Sequence, residues 1–154
     1  MKEADLRGWC EWFKEPELLE TVQILRTLCS RNELFRETIL NVFCDASQDA
    51  YRASAHLRRE FEDNVVECRV VAGNGQVVPI RAQFICRLEL MGALIAARLA
   101  ETLAAELMTK IEKITFWSDS TTVLHWFHQT SSNYKAFVGN RVSHTIMSLS
   151  LIHI

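Results

Sequence analysis

The chain has 154 residues, enough for one domain with a sizeable core, and its 49% hydrophobic and 23% charged residues are ordinary for a soluble globular protein. Net charge is −2, so a nucleic-acid partner would have to be met by a local basic patch and not by the chain as a whole. No apolar run reaches the length of a membrane span. Leu88 to Ala100 is broken by Glu89 and Arg98, and Met1-Lys2-Glu3-Ala4-Asp5 lacks the apolar core of a signal peptide, which points to an intracellular protein without membrane contact.

In chain order, residues 1–38 are expected to form a helical lead-in: Trp9, Trp12 and Phe13 are followed by Leu18, Leu19, Val22, Leu25 and Leu28 at roughly helical spacing. Ile39 to Cys44 is a short buried strand stopped by Asp45-Ala46-Ser47. Tyr51 to Leu57 and Val65 to Val71 are weaker strands. Gly73-Asn74-Gly75 is expected to turn, with Val77-Val78-Pro79-Ile80 extended after it. Residues 87–109, rich in Ala, Leu, Met and Glu, predict a long helix. Ile114 to Trp117 is a second short apolar strand, again stopped by an acid in Ser118-Asp119-Ser120. Ser120 or Thr121 is placed to cap a helix over 123–129, and 135–147 predicts a last helix. The order strand, strand, strand, helix, strand, helix implies an α/β domain over 39–147. It has a mixed sheet, with strands 1–3 antiparallel, strand 4 parallel and the long helix crossing over between the third and fourth strands.

The two strands that end in aspartate carry the functional reading. Sites in open α/β sheets form beyond the carboxyl ends of strands, so Asp45 and Asp119 would sit side by side if their strands were parallel neighbours. At 100° per residue, Glu89 shares a helix face with Ala93, Ala96, Ala100 and Leu103, a small apolar stripe suited to packing on a sheet. A carboxylate at the head of that stripe needs a partner. Three converging carboxylates repel one another, and a hard cation with oxygen ligands, Mg²⁺ or Mn²⁺, relieves that. Two such ions suit phosphodiester hydrolysis. Each acid alone also has a structural explanation: Asp before Ser is a frequent turn or cap residue, and a first-turn Glu is favoured by the helix dipole.

Other features weigh less. Arg52, Arg58 and Arg59 form one candidate basic cluster, and Lys135 with Arg141 another; each could equally be a solvated face. His125 and His128 stand at i and i+3 without an evident third metal ligand, and are expected as partly exposed helix residues beside a packed Trp126. Cys10, Cys29, Cys44, Cys68 and Cys86 form no Cys-x-x-Cys pair and are expected as reduced, mostly buried thiols.

The segments Val42-Phe43-Cys44-Asp45-Ala46-Ser47, Arg87-Leu88-Glu89-Leu90, Phe116-Trp117-Ser118-Asp119-Ser120, Val123-Leu124-His125-Trp126 and Phe137-Val138-Gly139-Asn140-Arg141-Val142 resemble the ribonuclease H region of BEL/Pao-type retrotransposon polyproteins, over about residues 9–143. The Trp9/Trp12 segment resembles the connector after reverse transcriptase in such polyproteins. The resemblance implies Mg²⁺-dependent (or Mn²⁺-dependent) cleavage of the RNA strand of an RNA–DNA hybrid. Asp45, Glu89 and Asp119 would be the catalytic, metal-holding carboxylates of a two-ion site, and the reverse transcriptase region of the polyprotein a partner. The chain departs from the pattern at Arg52, where the family usually has Gly, and at Cys86, where it usually has Pro. The family's fourth carboxylate follows a fifth strand, and the chain is expected to end before both. Residues 148–154, and the sequence from about Ser143 onward, are expected to be an artefactual tail. The family also carries a peptidase label, but Asp45-Ala46-Ser47 and Asp119-Ser120-Thr121 both lack the glycine of an aspartic protease loop. Two functions are thus expected: a hybrid nuclease fragment, or a catalytically incomplete remnant with a nucleic-acid-binding or structural role. A polynucleotidyl transferase of the same fold ranks last.

Overall fold

The computed structural model describes residues 27–28, 35–78 and 83–151. The expected helical lead-in lies outside the described residues except at Thr27 and Leu28, which are not helical, and at its end, where Phe35 to Thr38 open the first strand. Pro79 and Ile80 also lie outside them. Four strands form one sheet: β1 (Phe35–Ala46), β2 (Ala50–Phe61), β3 (Val66–Val77) and β4 (Lys113–Trp117), in the order β3-β2-β1-β4. β1 pairs antiparallel with β2 and parallel with β4, and β2 pairs antiparallel with β3. The mixed sheet expected from the sequence is therefore the one observed.

Strand alternation sorts the side chains. On β1, Leu40 and Val42 are fully buried, and Cys44 and Ala46 pack against the same core. On β2, Tyr51, Ala53, Ala55 and Leu57 turn to that side. Phe43, on the other side, is 42% exposed. All three antiparallel strands are longer than expected, because an apolar count stops where a strand's outer face turns polar, while pairing continues. Gly73, Asn74 and Gly75 are the clearest case. They lie inside β3, opposite Ser54, Ala53 and Arg52, and not in a turn. The turns lie elsewhere. Ser47 closes the β1–β2 turn, its Oγ accepting from the amides of Asp49 and Ala50, and Asn64, at φ 62°, serves the β2–β3 turn.

Helix α1 (Ile85–Glu106) crosses from β3 to β4. Leu107 follows it in an extended conformation, so the helix ends three residues short of the expected end. Its residues 92–97 are consecutively buried, which a helix achieves only when covered on more than one side. Leu88, Ile95, Ala96 and Ala100 face the sheet. Leu90 and Ala93 face Val123 of α2 (Thr121–Phe127) and Val142 of α3 (Ala136–Leu151), the two helices that follow β4 around a short 3₁₀ turn, Ser131–Asn133. α3 continues past the expected 147, and Thr145 and Ser148 are buried along it.

Two further expectations are corrected. Arg52, Arg58 and Arg59 do not form a basic cluster, because neighbouring strand residues face opposite sides. Arg58 pairs with Glu60 and Glu37, whereas Arg59 is buried, donates to the Leu28 carbonyl at 2.6 Å and lies over the Phe35 ring. The described cysteines are free thiols but not mostly buried: Cys68 is exposed, and Cys44 and Cys86 are half-buried. His125 and His128 are exposed as expected, with Trp126 half-buried beside them. Among the described residues, no helix is long and apolar enough to cross a membrane.

Because Ala96 is fully buried between α1 and the sheet, Ala96→Leu should overpack the interface and cost about 1–3 kcal/mol of stability in urea unfolding. Arg98→Leu on the exposed side of the same helix should stay within about 0.5 kcal/mol. Equal losses would show that α1 does not pack on its small face.

Candidate metal centre at the ends of strands 1 and 4

The parallel register aligns Val42 with Phe116 and Phe43 with Trp117. Asp45 and Asp119 each follow two residues after the last aligned pair, so the two chains leave the sheet together with an acid at the same level. The aligned pair marks the outer face of the sheet. The Phe43 and Trp117 rings stack at 6.0 Å and 12°, and Trp117 Nε1 donates to Asn41 Oδ1 at 3.0 Å.

The third acid arrives by helix packing. α1 crosses the end of β1 at Gly92, where an added Cβ would meet the Asp45 carbonyl oxygen at 3.2 Å and that of Arg52 at 3.6 Å. Any side chain there would push the helix away from the strand ends. Glu89 precedes Gly92 by three residues and so shares its side of the helix. Glu89 Oε2 accepts a 2.6 Å hydrogen bond from Ser120 Oγ, and the same Oγ accepts from the Val123 amide as the N-cap of α2. One buried serine, next to Asp119, thus ties the start of α2 to the helix glutamate. The Ser120 cap is legible in the sequence. Its bond to Glu89 is not, because it spans 31 positions. Gly92 carried a signal that went unused, since a glycine inside a strong helix pattern costs about 1 kcal/mol against alanine and needs a reason such as this close approach.

The electrostatics report the same convergence. Burial pushes the Cys44 thiol pKa up; a hydrogen bond with Ser118 acts against that, and the charges of Asp119, Asp45 and Glu89 add to the rise. All three carboxylates therefore act on one sulfur atom, which also approaches the Trp117 carbonyl at 3.5 Å.

Three carboxylates are the donor type a hard divalent cation requires. Their present side-chain placement is not a coordination shell: no group of three or more His, Cys, Asp or Glu among the described residues is arranged to hold a metal ion. Asp45 Oδ2 is held by Arg52 Nη2 at 3.0 Å, and Glu89 is held by Ser120. Asp119 is exposed. The backbone thus brings the three acids to one end of the sheet, while two of them are turned to protein donors.

A second cavity, mostly apolar but carrying two arginines, lies beside the start of α1. Tyr51, Gln83, Arg87, Met91, Phe137 and Arg141 line a cavity of about 130 Å³. Arg141 and Arg87 lie 3.7 and 4.7 Å from the Phe137 ring centre, and neither forms an ion pair among the described residues.

A family model described as the Pao retrotransposon-like RNaseH-like domain matches residues 1–120. The chain belongs to this family. The four-stranded mixed sheet with its crossover helix is accordingly an RNase H-like fold. Among solved structures, this Pao-family domain is similar to RNase H1 from the halophilic archaeon Halobacterium salinarum NRC-1, with 12% identity, a TM-score of 0.41, and 76% of this chain and 80% of that one covered. It is also similar to the N-terminal RNase H domain of Rv2228c from Mycobacterium tuberculosis, solved as a fusion with maltose-binding protein. There the identity is 13% and the TM-score 0.40, with 74% and 79% of the two chains covered. No curated protein matches the chain.

If the three acids share the field at Cys44, Asp119→Asn should lower the Cys44 pKa, because removing a negative charge makes the thiolate easier to form. The measurement is the pH dependence of iodoacetamide alkylation at Cys44, read by mass spectrometry. Asp119→Asn should shift the alkylation midpoint to lower pH, and an unchanged midpoint would separate Asp119 from this site.

Proposed function

We propose that this Pao-family domain is the ribonuclease H-type part of a retrotransposon polyprotein. It hydrolyses the RNA strand of RNA–DNA hybrids during reverse transcription, with Asp45, Glu89 and Asp119 as its metal-holding carboxylates. The observation that carries the reading is the parallel pairing of β1 with β4, two strands that each run into an aspartate at the same level. The approach of α1 at Gly92 supports Glu89 as the third member.

Bound Mg²⁺ or Mn²⁺ supplies charge neutralisation and a polarised water. The chain's own residues do the rest. Asp45, Glu89 and Asp119 would supply the oxygen ligands for the cation. Ser120 fixes the Glu89 side chain through its 2.6 Å bond. Arg87 and Arg141, half-buried and without carboxylate partners among the described residues, offer guanidinium donors to a phosphate of the nucleic-acid backbone. In a chain of net charge −2, these two arginines are the local positive charge proposed to meet a polyanion. The reverse transcriptase region of the polyprotein would deliver the hybrid.

One observation favours a second reading. Asp45 and Glu89 are already satisfied by Arg52 and Ser120, as they would be in a non-catalytic remnant that binds nucleic acid or packs against reverse transcriptase. There Asp45 and Asp119 would be turn residues only.

A labelled RNA–DNA hybrid incubated with the protein and Mg²⁺ separates the two. The nuclease reading predicts cleavage of the RNA strand that stops with EDTA and falls about a hundredfold or more in Asp45→Asn, Glu89→Gln and Asp119→Asn. Hybrid binding without cleavage supports the remnant. Cleavage that is undiminished in Asp45→Asn would end the three-carboxylate assignment.

A further inference from the structure

We propose that Arg52 is a built-in counter-ion for Asp45, one that a divalent cation must displace before it can use this carboxylate. The inference rests on the reading of Asp45 as a metal-holding residue and adds a residue that sets the affinity. Arg52 and Asp45 are direct cross-strand partners on the β1–β2 hairpin, on the face away from the core, and Nη2 lies 3.0 Å from Oδ2. The pair borders a cavity of about 310 Å³ whose other walls are Phe43, Cys44 and Ser54. That is room for a hydrated cation beside the carboxylate.

The guanidinium is held on one side only. On β3 its partner is Gly75, where an added Cβ would lie 3.7 Å from Arg52 Cβ and 3.8 Å from the Tyr51 carbonyl oxygen. With glycine there, the β3 position directly opposite Arg52 carries no side chain to hold the guanidinium. Both partners are well exposed, Arg52 at 74% and Asp45 at 51%, so the ion pair is weak enough to exchange. The nearest other arginine on β2's outer face, Arg58, is occupied by Glu60 and Glu37 and does not compete for Asp45. An arginine stays charged at any physiological pH, so its hold on Asp45 is tuned by ionic strength and cation concentration and not by its own titration. In the absence of cation, Arg52 neutralises one of three carboxylates that would otherwise repel one another.

The test is Mn²⁺ binding to the 154-residue chain without nucleic acid, followed by the electron paramagnetic resonance signal of free Mn²⁺. Arg52→Gln and Arg52→Ser should each bind Mn²⁺ about two- to fivefold more tightly than the parent chain, the range an exposed ion pair can supply. Arg52→Lys, which keeps the charge, should remain near the parent, Arg58→Gln should not tighten binding, and Asp45→Asn should weaken it. Thermal melting checks that each variant is folded. If both Arg52 removals match the parent while Asp45→Asn weakens binding, the metal-site reading stands and the role of Arg52 falls. Equal tightening by Arg58→Gln would reduce Arg52 to a general field effect and also overturn it. No Mn²⁺ binding, or binding indifferent to Asp45→Asn, would overturn the metal-site reading and this inference with it.

Discussion

The parallel pairing of β1 with β4 is the constraint on which the rest of this domain depends. Parallel neighbours run out of the sheet on the same edge, so whatever follows each strand is delivered to one place. With Phe43 level with Trp117, the two following aspartates become neighbours even though 74 residues separate them in the chain. A one-residue slip in this register would turn every β4 side chain to the opposite face. Leu40, Val42 and Ile114, each nearly or wholly buried against α1, oppose such a slip.

A parallel pair needs a crossover, and here the crossover element supplies the third acid. α1 lies between the sheet on one side and α2 and α3 on the other, so both faces must be small or apolar. Ala93, Ala96, Ala97 and Ala100 meet that need, and Gly92 meets it most sharply where the helix touches the backbone of Asp45 and Arg52. Glu89 is the polar exception at the end of this packed surface. Its half-burial is tolerable because Ser120 donates to it, in keeping with the rule that buried polar groups find partners. The same packing that stabilises the core therefore fixes how far the glutamate stands from the strand ends.

The parts of the site that follow from local pattern were legible in the sequence. A buried apolar run stopped by Asp-Ala-Ser or Asp-Ser-Thr marks a strand end, and a 100° wheel places Glu89 on a small stripe whose Ala96 and Ala100 meet the sheet while Ala93 turns to α2 and α3. Pairing-dependent features were not legible. Gly73-Asn74-Gly75 has the local signature of a turn, yet its ladder with Ser54, Ala53 and Arg52 holds it extended. The proximity of Arg58 and Arg59 in sequence suggested one basic patch, which strand alternation splits between two faces. The contacts Arg52–Asp45 and Ser120–Glu89 depend on register and tertiary docking, and no local pattern announces them.

Three like charges brought to one edge need compensation, and the domain supplies it from its own side chains: a guanidinium on Asp45 and a hydroxyl on Glu89. Under the proposed metal-site reading, a cation would have to compete with both donors. The most direct measurement is the line broadening of backbone amide NMR signals by substoichiometric Mn²⁺. If Asp45, Glu89 and Asp119 share one metal site, signals from residues 44–46, 88–90 and 118–120 are lost first and together. Early loss of signals elsewhere, such as along residues 60–67, with these three segments spared, would contradict it.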